Sequence, residues 1–327
     1  MTLAAEVQEL LAWDRALGAH IKGLNTRDQR LVLRRGVDEL VDRYGMTAPD
    51  VANVEEYDVP VEGANLRLRV YTPLGDGPHG VFFHIHGGGF TLGGIDWPVN
   101  HIKCAHICAS AGCVVTTVDY RLAPEFPYPA AIEDCYASLI WLVDNAISLG
   151  IDSTRTAVGG ESAGGNLAAA VAMIARDRSG PSLTSQVLEV PVADMSKQRT
   201  SQPSMTLFGK GYGLDSSVID AFVAAYLPNH SDRQMPYASP LHATDLRGVA
   251  PAHLITAEFD PLRDGGEAYA SRLREAGVPT TLQRFDGHTH GSSILWQTWE
   301  PAASWMEHVV SAIRAETSPR NWVPPPS

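Results

Sequence analysis

The fold is decided by the stretch Thr156-Ala157-Val158-Gly159-Gly160-Glu161-Ser162-Ala163-Gly164-Gly165-Asn166. Its residue order predicts a strand, a sharp turn and the start of a helix. Gly160-x-Ser162-x-Gly164 matches the G-x-S-x-G pattern of a strained turn that holds a serine at its tip. The residues two before and two after that serine must lack a Cβ atom, because the two arms of the turn pass close together. Ser162 is therefore a candidate nucleophile, and the helix after it would point free N–H groups at a charge forming beside the serine.

Strand-like and helical segments alternate along the rest of the chain. Buried strands are predicted for apolar runs at residues 80–86, 113–119, 156–161, 186–192, 252–257 and 280–285. Helices are predicted between and after them at residues 102–111, 130–149, 162–176, 263–276 and 293–315. Residues 66–71 alternate cleanly between apolar and polar, which predicts a half-exposed antiparallel strand. This order is typical of the α/β class with a mostly parallel, doubly wound sheet.

Two segments interrupt the alternation. Residues 1–45 carry apolar side chains at helical spacing and predict two amphipathic helices ahead of any strand. Residues 194–237 are polar and contain glycine, with one helical patch at 216–226. We expect these two segments to form a cap on a core made of residues 46–193 and 238–320. The proline-rich end at 324–327 is expected to be loose.

Charge and hydropathy exclude several classes of function. The 327-residue chain has a formal net charge of −12, which argues against nonspecific nucleic-acid binding because that requires a basic surface. The N-terminus lacks the basic start and apolar core of a secretory signal, and no apolar run is long enough to span a membrane. Cytoplasmic localisation is the resulting expectation.

A metal site is considered and not expected. The four cysteines, Cys104, Cys108, Cys113 and Cys135, lie in apolar helical or strand-like segments rather than in paired knuckles, so they are interpreted as buried core residues. His84-x-His86 is followed by glycines instead of the further ligands that a metallo-hydrolase requires. The sequence therefore predicts no metal site.

Partners for Ser162 are expected in the loops after later strands, because chemistry in an open α/β sheet gathers beyond the carboxyl ends of the strands. Glu258, Asp260 and Asp264 follow one strand, and His288 and His290 follow the next. The order serine, acid, histidine is that of the α/β-hydrolase triad. Asp260 is favoured because it follows its strand directly, whereas spacing alone does not separate the two histidines.

A glycine triplet offers hydrogen-bond donors for a developing negative charge. His86-Gly87-Gly88-Gly89 follows a predicted buried strand and matches the HGGG type of oxyanion motif. Consecutive glycines leave backbone N–H groups free and let a substrate approach the main chain. The backbone N–H of Ala163, directly after Ser162, is the third expected donor.

Five ordered motifs together resemble the bacterial hormone-sensitive-lipase-like esterases. They are HGGGF at 86–90, DYRLAPE at 119–125, GESAGG at 160–165, DPLRD at 260–264 and HG at 290–291. The resemblance covers nearly the whole chain. It implies an α/β-hydrolase core with a helical cap, and hydrolysis of small esters with short to medium acyl chains without a cofactor.

The resemblance also implies a role for each matching residue. Ser162 takes the place of the nucleophile, the first aspartate of DPLRD is Asp260, and the histidine before glycine is His290. Carried over in the same way, the oxyanion donors are the backbone N–H groups of Gly88, Gly89 and Ala163.

The sequence departs from the family pattern at two positions. Glu161 stands where aspartate is usual, and Ser292 stands where an aromatic residue usually follows His-Gly, which would widen the pocket. The candidate substrate-binding residues are Phe90, Phe208, Tyr212, Leu214, Phe222, Leu262 and Ser292. Family members often form homodimers, but no local feature of this sequence requires one.

Other functions use the same fold. A plant hormone receptor lacks the catalytic histidine, so the presence of serine, aspartate and histidine here argues against a pure binding role. An amidase, arylformamidase or lactonase would use the same residues, so the sequence predicts the reaction class and leaves the substrate open.

Overall fold

One sheet of eight strands organises the part of the chain, residues 3–319, that the computed structural model describes. Residues 1, 2 and 320–327 lie outside it, so the last residue of the predicted core and the predicted loose end are not described. The strands are β1 (Asn53–Val61), β2 (Ala64–Thr72), β3 (His79–Ile85), β4 (Val114–Val118), β5 (Ile151–Glu161), β6 (Ser185–Glu189), β7 (Ala252–Phe259) and β8 (Thr280–Thr289).

The sheet has the order β1-β2-β4-β3-β5-β6-β7-β8. β1, β2 and β4 pair antiparallel, and every pairing from β4 through β3 to β8 is parallel. The predicted antiparallel strand at 66–71 is confirmed within β2. The predicted mostly parallel sheet is also confirmed.

Nine α-helices accompany this sheet in the described residues. They are α1 (Ala5–Ile21), α2 (Thr26–Arg43), α3 (Pro98–Ala111), α4 (Ala130–Asp144), α5 (Ala163–Asp177), α6 (Pro203–Phe208), α7 (Ser216–Tyr226), α8 (Arg263–Glu275) and α9 (Glu300–Thr317). Single 3₁₀ turns lie at Lys197–Ser201, His230–Gln234, Pro240–His242 and Ser292–Leu295.

The end of the chain differs from its sequence prediction. A single helix was expected over 293–315, but the structure has a 3₁₀ turn at Ser292–Leu295 and then α9, which begins at Glu300. Pro301 explains the break, because proline lacks an N–H and fits only the first turn of a helix. β8 also runs to Thr289, four residues past its predicted end, and α4 ends at Asp144 rather than near residue 149.

Apolar side chains fill both faces of the sheet. Along β3, Val81, Phe83 and Ile85 belong to the core beneath α4 and α5, whereas Phe82 belongs to the core beneath α3 and α9. A strand buried on both faces reads as a continuous apolar run, which is why β3 was predictable. The ends of the paired strands β3 and β5 are therefore held in place by a rigid, buried core.

The two segments that interrupt the alternation meet in space. A Cβ atom added to Gly213, which precedes α7, would lie 3.2 Å from Leu11 of α1. Arg30 of α2 donates a hydrogen bond of 2.7 Å from its Nε–H to the backbone oxygen of Thr91, beside the predicted oxyanion loop. Both segments thus pack near the ends of the parallel strands.

Candidate active site

Ser162 forms the turn between β5 and α5 in a strained backbone conformation. Its φ of 56° and ψ of −116° are unusual for a residue with a side chain. A Cβ atom added to Gly160 or Gly164 would collide with the backbone oxygen of Ile85 on β3. This close approach explains why glycine is required on both sides of the serine, as the sequence predicted. The turn is fixed further by the Ser162 N–H, which donates 2.9 Å to the backbone oxygen of Glu189 on β6.

A chain of hydrogen bonds joins Ser162 to a buried carboxylate. His290 Nε2 lies 2.9 Å from Ser162 Oγ, and His290 Nδ1 lies 2.9 Å from Asp260 Oδ2. Asp260 follows β7 and is fully buried, and its other oxygen accepts the backbone N–H of Leu262 at 2.8 Å. The serine, histidine and acid thus have the mutual geometry of a nucleophile, a base and an orienting group.

The charges around His290 favour its protonated form. Burial alone would lower the pKa of its imidazole, but the negative charges of Asp260 and, more weakly, Glu161 outweigh burial and raise that pKa above its ordinary value. An imidazolium that forms while Ser162 loses its proton would therefore be stabilised.

The competing residues of the two acid and histidine clusters lie elsewhere. His288 Nδ1 is 2.9 Å from Ser292 Oγ, and its fully buried ring packs against Trp299. Burial lowers the pKa of His288 to about 4. Asp264 accepts the backbone N–H of Ser204, and Glu258 accepts that of Gly287. The structure therefore brings His290 and Asp260 to Ser162, and not these alternatives.

The glycine loop after β3 turns its backbone beside the serine. Gly88 has a φ of 117° and Gly89 a φ of 58°, a region that favours glycine. Within residues 3–319, no carbonyl or side chain accepts the N–H of either glycine. The N–H of Ala163 has no acceptor inside α5, because Ala163 is the first residue of that helix. His86 anchors the loop by stacking on Tyr120 at 4.3 Å.

A cavity of about 280 Å³ opens in front of Ser162. Its lining residues are Gly87, Gly88, Gly89, Val99, Lys103, Glu161, Ser162, Val190, Leu214, Phe222, His290, Gly291, Ser293, Ile294, Trp296 and Met306. Two expected pocket residues of the 194–237 segment, Leu214 and Phe222, are among them. The wall is mainly apolar, apart from the charged pair Lys103 and Glu161.

The aromatic candidates other than Phe222 lie outside this cavity. Phe90 is buried and stacks on Tyr226 at 3.9 Å. Phe208 and Tyr212 each pack against Phe259, at the end of β7, at 5.5 Å. Each of these rings packs on another ring that does not line the cavity, so none of them forms part of its wall.

Two further candidates also fall outside the cavity. Leu262 is buried in the core. Ser292 is fully buried, and its hydroxyl accepts the backbone N–H of Thr289 at 3.0 Å while lying 2.9 Å from His288 Nδ1. Ser292 therefore lies outside the cavity wall, and its side chain fixes the turn after β8.

Sequence reasoning missed a buried charged network beside the serine. Lys103 Nζ on α3 donates to Glu161 Oε2 at 2.6 Å and to Glu189 Oε1 at 2.8 Å. Glu189 Oε2 accepts the indole N–H of Trp305 at 2.7 Å. The signal was present in the sequence, since Lys103 stands between Ile102 and Cys104, and Glu189 stands between Leu188 and Val190 in the predicted strand at 186–192. Charged residues in buried elements need partners.

Three further observations concern metal sites, cysteines and membrane-spanning helices. Residues 3–319 contain no group of three or more histidine, cysteine, aspartate or glutamate side chains placed to hold a metal ion. The four cysteines are buried and unpaired, as interpreted from the sequence. No helix in this described range is long and apolar enough to cross a membrane.

Comparison with known proteins gives one consistent result. The family model of the alpha/beta hydrolase fold matches residues 82–294. The carboxylic ester hydrolase LipN of Mycobacterium tuberculosis is 38% identical over 97% of this chain and 84% of its own length. An arylesterase of Saccharolobus solfataricus is 40% identical over 81% of this chain and 85% of its own. A solved structure of a hyperthermophilic esterase from Pyrobaculum calidifontis superposes with a TM-score of 0.87 at 33% identity, covering 96% of this chain and 99% of that one.

Proposed function

Since this chain belongs to the alpha/beta-hydrolase-fold family, with the hormone-sensitive-lipase-like esterases, and is a carboxylic ester hydrolase, we propose that it acts through an acyl-enzyme on Ser162. The observation that carries this proposal is the unbroken hydrogen-bonded chain from Asp260 through His290 to Ser162 at the cavity. The 2.9 Å between His290 Nε2 and Ser162 Oγ allows proton transfer without rearrangement of the side chains. The 2.9 Å between Asp260 Oδ2 and His290 Nδ1 lets the carboxylate orient the ring.

Acylation begins with proton transfer from Ser162. His290 Nε2 takes the proton as Ser162 Oγ attacks the ester carbonyl, and Asp260 holds the histidine in the tautomer that leaves Nε2 free. The carbonyl oxygen becomes negative and accepts hydrogen bonds from the N–H groups of Gly88, Gly89 and Ala163. His290 then returns the proton to the departing alcohol.

Deacylation repeats these steps with water. A water molecule gives its proton to His290 Nε2 and attacks the acyl carbon, and the same N–H groups stabilise the second oxyanion. Collapse of that intermediate releases the carboxylic acid, and His290 returns the proton to Ser162 Oγ. No step needs a metal or an organic cofactor.

The size of the cavity supports a preference for short to medium acyl chains. Its volume of about 280 Å³ lies at the lower edge of the roughly 300–1,000 Å³ typical of ligand pockets. The apolar lining suits a hydrocarbon chain, and the glycine loop brings backbone donors to the carbonyl.

The cap is part of the same proposal. Residues 1–45 and 194–237 would cover a core made of 46–193 and 238–320. The approach of Leu11 to Gly213 supports this division, as does the presence of Leu214 and Phe222 in the cavity wall.

Substitution Ser162→Ala tests the nucleophile. We expect kcat/KM for p-nitrophenyl butanoate to fall by about 10⁴-fold or more, because the chemistry loses its attacking atom. Circular dichroism and thermal unfolding of the variant should match the wild type. A fluorophosphonate should phosphonylate Ser162 of the wild-type protein with loss of fluoride, which a mass increase equal to the reagent minus HF reports, and leave the variant unlabelled. Retained turnover or labelling at another residue would overturn the proposal.

A further inference from the structure

The wall of the cavity holds a charged pair with unused hydrogen-bonding capacity. The Lys103 ammonium has three protons, and two are donated to Glu161 and Glu189. Within residues 3–319, no third acceptor for Lys103 and no donor to Glu161 Oε1 is found. Glu161 Oε1 borders the glycine loop, since a Cβ atom added to Gly87 would lie 3.6 Å from it. The cavity wall therefore has one free hydrogen-bond donor, on Lys103 Nζ, next to one free acceptor, Glu161 Oε1.

The two side chains differ in how they meet the cavity. The Lys103 side chain is 4% exposed, whereas that of Glu161 is 32% exposed, and both line the cavity. The Glu161 carboxylate is thus reached through the space where the substrate binds. Glu189, 4% exposed, lies behind Lys103 and is held by Trp305.

We propose that Lys103 and Glu161 form a subsite for a hydroxyl group of the ester substrate. The hydroxyl oxygen would accept the third proton of Lys103 Nζ, and the hydroxyl proton would be donated to Glu161 Oε1. A hydroxyl is both donor and acceptor, so one group satisfies both free positions. This inference rests on the proposed function, because the cavity is taken as the substrate site.

Charge balance selects a neutral group. Lys103 contributes one positive charge against the two negative charges of Glu161 and Glu189, so the network is negative overall. Lys103 outweighs the effect of burial and keeps the pKa of Glu161 below its ordinary value, so its carboxylate is ionised. A substrate carboxylate would be repelled by this net charge, whereas a neutral hydroxyl is not.

A purely hydrocarbon chain would bind less favourably against the part of the cavity wall formed by Lys103 and Glu161. It would displace water from the Lys103 proton and from Glu161 Oε1 and offer neither an acceptor nor a donor in return. Sites with buried polar groups reject analogues that lack the matching hydroxyl for this reason. The pair therefore favours hydroxyl-bearing esters over hydrocarbon esters of the same size.

The backbone holds this network in place at a conformational cost. Val190 follows Glu189 with a φ of 40°, a region that a β-branched residue rarely adopts. This turn sends the Val190 side chain into the cavity wall, while the Glu189 side chain reaches Lys103 and Trp305. Strain of this kind persists only where the surrounding structure enforces it.

Matched esters test the subsite and locate the hydroxyl. The acyl arm compares p-nitrophenyl 3-hydroxybutanoate with p-nitrophenyl 3-methylbutanoate, and the alcohol arm compares 2-hydroxyethyl butanoate with propyl butanoate. Each kcat/KM is divided by the rate constant for alkaline hydrolysis of the same ester. We expect a preference of about tenfold for the hydroxyl ester in one arm, which identifies the side of the scissile bond that meets the pair.

Two variants separate recognition from structural support. Lys103→Met combined with Glu189→Gln removes one charge of each sign, and the glutamine oxygen can still accept the Trp305 N–H. Glu161→Asp withdraws the carboxylate from the cavity by one methylene and keeps its charge, which covers the case that the first variant does not fold. We expect the preference for the hydroxyl ester to fall close to one in each folded variant.

Several outcomes would contradict the subsite. Equal corrected rates in both wild-type arms would overturn it. So would variants that slow both esters of a pair by the same factor, because that is the effect of a merely structural network. Ser162→Ala is the control: if it abolishes turnover while the wild type shows no preference, only the subsite fails. If it retains turnover, the proposed function fails.

Discussion

His290 Nδ1 lies 2.9 Å from Asp260 Oδ2, and the carboxylate that it meets is fully buried at the end of β7. Little solvent reaches this pair to screen the attraction between an imidazolium and the carboxylate. Together with Glu161, Asp260 therefore raises the pKa of His290 above 6.5, although burial acts in the opposite direction. Of the groups that face the ring, Asp260 and Glu161 are charged and Ser162 is neutral. The two carboxylates therefore determine the direction in which the pKa of His290 shifts.

This pair sets the expected pH dependence of hydrolysis. The base must be neutral to accept a proton from Ser162, so kcat/KM should rise with pH as His290 loses its proton. Because the pKa of His290 is raised, the midpoint of this rise should lie above 6.5. Initial rates with ethyl butanoate in a pH-stat, at constant ionic strength, measure it. A midpoint at or below 6.5 would contradict the assigned pair.

The two histidines of the 288–290 segment should respond differently to substitution. His290→Ala removes the base, and we expect kcat/KM to fall by about 10⁴-fold or more. His288→Ala removes one hydrogen-bond partner of Ser292, which keeps its bonds to Thr289, and leaves a gap beside Trp299. It should lower the free energy of unfolding by about 2–4 kcal/mol and keep kcat/KM within about tenfold of the wild type.

Each histidine variant is the control for the other. Urea denaturation and ester kinetics on the same preparations separate the two effects. If His288→Ala lost more activity than His290→Ala at temperatures where both are folded, the base would be misassigned.

The turn at Ser162 between β5 and α5 makes a steric prediction. In Gly164→Ala the new methyl group would collide with the backbone oxygen of Ile85, and β3 cannot shift because it is buried on both faces. We expect a loss of about 3 kcal/mol or more in the free energy of unfolding, or no folded protein. Gly18→Ala in α1 is the matched control, because nothing lies within 4 Å of its added Cβ. That change should stabilise the protein by about 0.5–1 kcal/mol. Equal stability of the two variants in urea would refute the steric argument.

Local sterics and the alternation of strands and helices could be predicted from the sequence, since both depend on residues that are close together in the chain. The turn at Ser162, the glycine loop at 87–89 and the parallel sheet follow from glycine positions and continuous apolar runs. The position of Asp260 directly after β7 also followed, because strand ends meet at one edge of the sheet.

Distant packing could not be predicted. Phe208 and Tyr212 pack against Phe259, a partner that no periodicity within the 194–237 segment reveals. Spacing also failed to separate His288 from His290, because residues two apart on a strand share a face. β8 ends at Thr289, between the two histidines, so only His290 leaves the strand and turns toward Ser162.

Phe222, in the 194–237 segment, should limit the length of the acyl chain. The ring of Phe222 on α7 lies against Gly89 and forms part of the cavity wall. Phe222→Ala removes this ring beside the scissile bond, so the space for an acyl chain grows. We expect kcat/KM for p-nitrophenyl octanoate relative to butanoate to rise by about tenfold, the size of effect expected for one to two methylenes in an apolar pocket.

Phe208→Ala is the matched control for this change. Its ring packs on Phe259 and Tyr212, outside the cavity, so its loss should destabilise the protein by about 3 kcal/mol. The octanoate-to-butanoate ratio should stay near the wild-type value, because the cavity wall is untouched. If Phe208→Ala shifted the ratio as much as Phe222→Ala did, the acyl chain would lie along α6 rather than beneath α7, and the cavity assigned here would be the wrong one.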